Sequence, residues 1–157
     1  MGTDNPLASY LNDHLAGSVA AIELLEHLTK HAGGPTERDF FAGLRADIAS
    51  DQEVLKEILN RVGGSESELR KAGAWISEKA SRLKLRLEDG AGLSRLEALE
   101  TLALGITGKM GLWRVLSMLS DRRPELVGVD YARLEQFAER QHADVEARRL
   151  EAAQAAF

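Results

Sequence analysis

Apolar residues recur along this chain at spacings of three and four, broken at intervals by glycine and proline, a pattern of amphipathic helices with short breaks. Asn5-Pro6 predicts a helix opening, with asparagine as N-cap and proline at the first helical position. The run from Leu7 onward meets no breaker until Gly33-Gly34-Pro35, which reads as a stop. Thr36 followed by Asp39 resembles a capping box, and Phe40, Phe41, Leu44, Ile48, Leu55, Ile58 and Val62 then keep helical spacing up to Gly63-Gly64. Ser65 with Glu68 offers another capping box, ahead of a narrow stripe (Leu69, Ala72, Ile76, Ala80, Leu83, Leu87) on a charged helix that Glu88 to Gly92 breaks. From about Ser94 to Ser120 apolar residues cover nearly every side of the helical wheel, as in a helix buried on more than one face. Gly105, Gly108 and Gly111 inside it predict close approach of a neighbouring helix. Pro124 and Gly128 mark a turn, and Asp130 caps a last helix.

Helices are thus expected near 6–32, 37–62, 66–87, 94–120 and 131–156, in a single domain spanning 1–157. Long helices of matched length with short connections form an up-down bundle; the first, second, fourth and fifth make its four members and 66–87 is an extra crossover helix. The fold class is all-α.

Successive residues turn by about 100° around a helix, so polar side chains inside each apolar stripe can be picked out. His14 lies in the first stripe (Leu7, Leu11, Ser18, Ala21, Leu25), and Asp51 near the middle of the second. Glu100, Thr107 and Arg114 follow one line beside Ala103 and Met110, and His142 sits between Ala138 and Val145. With alternating helix directions, His14, Asp51, Thr107 and His142 all fall at heights of roughly 12 to 18 Å, so one polar layer from four helices is expected. A buried aspartate needs a partner, here a histidine or Arg114. The same layer could hold a metal, since two histidines and one carboxylate suit Fe(II) with open positions. Leu24 points away from the first stripe, and the surplus apolar surface of the fourth helix adds to it; a homodimer through helix faces is expected.

Composition narrows the function. The 157 residues carry a net charge of −5, a poor electrostatic footprint for nucleic acid. With no cysteine there is no disulfide framework and no thiolate metal site, and no apolar run is long enough to span a membrane. The N-terminal MGTDNPLASY lacks a basic segment followed by an apolar core, so the cytoplasm is the expected compartment. His27 and His31 read as solvated residues near a helix end, and Trp75 and Trp113 as packing residues. The basic residues of the third helix (Lys71, Lys79, Arg82, Lys84, Arg86) alternate with acidic ones and read as a solvated face.

In the last helix Glu139-Arg140-Gln141-His142 resembles the Glu-x-x-His motif of the ferritin-like superfamily, whose bundles join two antiparallel helix pairs by one long crossover. The resemblance implies a glutamate on each of two helices and Glu-x-x-His on the other two. Here Ile48 and Asp51 occupy the second such motif, His14 stands where the first helix would give a glutamate, and Glu100 matches the third position. With that ligand set no dinuclear centre and no cofactor is expected. A single iron or manganese held by residues among His14, Asp51, His142, Glu139 and Glu100 is the alternative. Three functions remain: a non-catalytic bundle acting by self-association or partner binding, a metal-dependent oxidase or iron-handling protein with a rearranged site, and a binder of a small apolar ligand near Trp113 and Met110.

Overall fold

The computed structural model describes residues 4–65, 78, 81–87 and 92–157. The expected capping box at Glu68, the packing of Trp75, the basic residues Lys71 and Lys79 and the break at 88–91 lie outside those residues. Among the described residues the regular structure is entirely helical: α1 (Pro6–Lys30), α2 (Pro35–Arg61), a helical stretch at 81–87, α3 (Gly92–Ser120), a 3-10 turn at Pro124–Leu126 and α4 (Tyr131–Ala156). No helix among them is long and apolar enough to cross a membrane.

The helix starts follow from their caps. Asn5 Oδ1 accepts the Ala8 amide at 3.1 Å, and Asp130 accepts that of Arg133. α2 departs from expectation: Pro35 is its first residue, Gly34 precedes it, and Thr36 caps nothing. Proline at the first helical position loses only an amide that had no helical partner, so it starts this helix as well as ending the loop before it. Glu37 takes over the polar work there, accepting the Gly33 amide at 2.6 Å and pairing with Arg95 of α3. Burial alone would raise the Glu37 carboxyl, but the Gly33 amide, Arg95 and Arg148 outweigh it and hold the group below the ordinary range.

Contacts at the helix ends give the directions. Asn5 Nδ2 reaches the Val62 carbonyl (2.8 Å) and Asn12 Nδ2 the Ser65 carbonyl (3.1 Å), so the start of α1 meets the end of α2. Arg95 donates to the His31 carbonyl, placing the start of α3 at the opposite end, and Gly92 lies against Ala156 at the end of α4. α1 therefore runs up, α2 down, α3 down and α4 up, so the end of α2 and the start of α3 lie at opposite ends. Lys84 pairs with Glu23 of α1 and Arg86 with Glu97 of α3, so the 81–87 stretch bridges these helices and buries Leu83 and Leu87 on them.

That bridge corrects one expectation. Leu24 is only 2% exposed and belongs to the core with Leu28, Leu83 and Leu102. α1 is covered on two sides, by α2 on one and by α3 with the 81–87 stretch on the other, so its buried surface is wider than a single stripe. A second correction concerns the glycines of α3. A Cβ built on Gly105, Gly108 or Gly111 meets nothing within 4 Å among the described residues, so none of the described helices presses on them. Gly64 is the reverse: its Cβ would lie 2.9 Å from Ala8 Cβ and collide with Leu59, so only glycine fits where α2 ends against α1. Gly111→Ala should therefore raise stability by about 0.5–1 kcal/mol, through the entropy of the unfolded chain, whereas Gly64→Ala should lower it. Urea midpoints at unchanged slope provide the check, and a destabilising Gly111→Ala would contradict the open space beside it.

Candidate functional site

Two apolar clusters build the core, one around Phe41, Ile48 and Leu102 and the other around Leu11, Leu55 and Trp113. On α2 the first ends at Ile48 and the second begins at Leu55; on α3 the boundary falls between Ile106 and Leu112. Asp51 and Lys109 occupy these two gaps. Lys109 Nζ lies 2.6 Å from Asp51 Oδ2 and also donates to Gln141 Oε1 of α4, with the two charged side chains 14% and 13% exposed. Three helices are thus tied at one height by an ammonium, a carboxylate and an amide.

Beside this junction, between α1 and α3 with α2 at its back, lies a cavity of about 460 Å³, within the range of roughly 300–1,000 Å³ common for small-molecule sites. Gly17, Gly105 and Gly108 line it, and a Cβ on any of them would find open space among the described residues. Leu24, Ile48 and Leu102 line it on one side of the junction and Leu55, Leu112 and Trp113 on the other, with Asp51, Lys109 and His14 making a polar band between them. Burial lowers the His14 pKa against the opposing charge of Asp13, which favours a neutral imidazole; its ring rests edge-on against Tyr10 at 4.8 Å. Trp113 forms part of the wall and is almost fully buried, and its indole N–H has no hydrogen-bond partner among the described residues. Met110 is not among the lining residues.

The expected polar layer is therefore present with different members. Asp51 is in it, Lys109 stands in place of Thr107 and Gln141 in place of His142, while His14 shares only the cavity wall with them. Thr107 is exposed and bonds its own helix at the Ala103 carbonyl. Its line, Glu100 to Arg114, runs along the α3–α4 seam: Glu100 pairs with Arg149, and Arg114 with Glu135 and more distantly Glu139. Asp51 is paired with neither a histidine nor Arg114. On α4 the buried stripe is Ala138, Gln141, Val145 and Ala152, which leaves His142 half-buried at its side. Lys109 and Gln141 both had a legible signal, since Ile106 and Leu112 flank Lys109 at three residues, and Ala138 and Val145 flank Gln141 at three and four.

Among the described residues the expected ferritin-type ligands do not converge. Ile48 cannot ligate, an ammonium rather than a cation site faces Asp51, and Glu100 and Glu139 are turned to arginines at the surface. Among the described residues no three histidine, aspartate or glutamate side chains converge as a metal site would require. Comparison of the chain with protein-family models, curated proteins and solved structures finds no match.

The ion pair is testable by a double-mutant cycle. Lys109→Met leaves the Asp51 carboxylate without its countercharge and should cost about 3 kcal/mol. Adding Asp51→Leu should restore most of that loss, because two apolar residues leave no charge stranded. A coupling energy near zero from urea denaturation of the four proteins would contradict the pairing.

Proposed function

We propose that this chain is a non-catalytic helical-bundle protein that holds a small, largely apolar molecule in the cavity between α1 and α3. The observation behind the reading is the cavity itself, whose walls are thinned by three glycines inside helices. Glycine in a helix interior costs roughly 1 kcal/mol relative to alanine, and alanine would meet no obstacle among the described residues at these positions, so stability within them does not account for the glycines. Space for a ligand does. The up-down, down-up order with a crossover supports placing the chain among ferritin-like bundles, as one in which an ion pair and a cavity stand at the metal-ligand positions. The geometry gives the iron or manganese reading no support, because its candidate ligands are spread between the interior and the surface.

The test uses the neutral probe N-phenyl-1-naphthylamine, whose fluorescence rises in apolar surroundings. The wild-type chain should bind it at micromolar concentration with a stoichiometry of one. Gly105→Leu, which builds a side chain into the open space, should weaken binding at least tenfold while leaving the helical circular dichroism intact. Equal binding by the variant would count against the cavity as the site.

A second reading, self-association, is favoured by the outer face of α3. Leu104 is 74% and Met118 65% exposed, and their spacing brings them to nearly the same side of the helix. A symmetric dimer through this face replaces the expected role of Leu24. Light scattering should give twice the chain mass at tens of micromolar, and Leu104→Glu should return it to the single-chain mass.

A further inference from the structure

We infer that the cavity's ligand is an amphiphile with a hydroxyl at one end of an apolar body, and that the hydroxyl sits against Asp51 and Lys109. This inference rests on the cavity reading above. Lys109 has three N–H groups and directs two of them, to Asp51 Oδ2 and to Gln141 Oε1. Asp51 uses only Oδ2, so Oδ1 has no hydrogen-bond partner among the described residues. Asp51 and Lys109, both in the cavity lining, thus keep one acceptor and one donor N–H that no described residue takes up. A hydroxyl satisfies both, donating to Asp51 and accepting from Lys109.

Charged head groups are matched less well. A carboxylate could accept from Lys109 but would face the Asp51 oxygen, and an ammonium could donate to Asp51 but would face Lys109. Among the described lining residues Lys109 is the one cation, set against Asp51 and, at the exposed rim, Asp13, so these residues leave no positive charge over for an anion. His14, the other titratable group there, is the one that burial favours as neutral. Taking a charged head out of water into this corner would leave it uncompensated, whereas a neutral hydroxyl escapes that cost. To one side of the pair Leu24, Ile48 and Leu102 provide the surface for the hydrocarbon body.

The experiment is displacement of N-phenyl-1-naphthylamine from the full chain by 1-decanol, decanoate and decylamine at pH 7.5, compounds that share a tail and differ in the head. Decanol should displace the probe at concentrations at least tenfold below the other two. In Asp51→Asn, where Lys109 keeps its charge and loses its counterion, decanoate should gain at least tenfold relative to decanol. The wild-type ranking stands without that variant, so a poorly folded Asp51→Asn would not remove the test. Decanoate or decylamine displacing the wild-type probe as well as decanol would overturn the head-group inference and leave the cavity reading in place. Absence of probe binding itself would overturn the cavity reading, and with it this one.

Discussion

The ion pair between Asp51 and Lys109 sets the terms for the middle of this bundle. Two charges taken largely out of water are costly unless each finds the other in good geometry and the remaining hydrogen bonds are met. Here the pair spans α2 and α3, and Gln141 brings in α4. Apolar stripes alone let helices slide by a turn with little penalty, while a turn's slip here would pull the lysine from its carboxylate. We take the pair as the device that fixes the relative heights of these three helices. It also explains why the core divides into two apolar clusters, since neither can extend across a charged layer.

α1 has no charged member in that junction, and the space beside it stays open. Above and below, α1 is packed by leucines, and its lower end is pinned by Asn5 and Asn12 to carbonyls at the end of α2. At mid-height it presents Gly17, and α3 presents Gly105 and Gly108, so no side chain at these positions fills the gap between the two helices. Tight packing at both ends and small residues between them are what allow a bundle to keep a cavity without collapsing it. The polar junction then serves as one wall, so the element that fixes the helix heights also supplies the chemistry a ligand would meet.

Much of the fold was legible because helix signals are local. Asn5-Pro6, Asp130 and the glycine breaks act through hydrogen bonds within a few residues, and the structure puts helix starts where those residues stand. Pro35 was misread because the same residue can end a loop or begin a helix, and only the Gly33–Glu37 contact decides between them. The interior was harder for a geometric reason. One residue of error on a helix turns a side chain by about 100°, enough to exchange Gln141 for His142 and Lys109 for its neighbours. Lys109 itself carries a signal in its neighbours Ile106 and Leu112, both buried at three residues on either side. Leu24 failed differently: its burial comes from a segment sixty residues away in the chain, and no single-helix wheel carries that information.

The most direct measurement is a crystal structure of the chain soaked with 10-bromodecan-1-ol, in which anomalous scattering locates the tail. One bromine peak is expected near Leu24, Ile48 and Leu102, with density running from it to the Asp51–Lys109 pair. Bromine found only on the exposed face of α3, around Leu104 and Met118, with no density between α1 and α3, would contradict it.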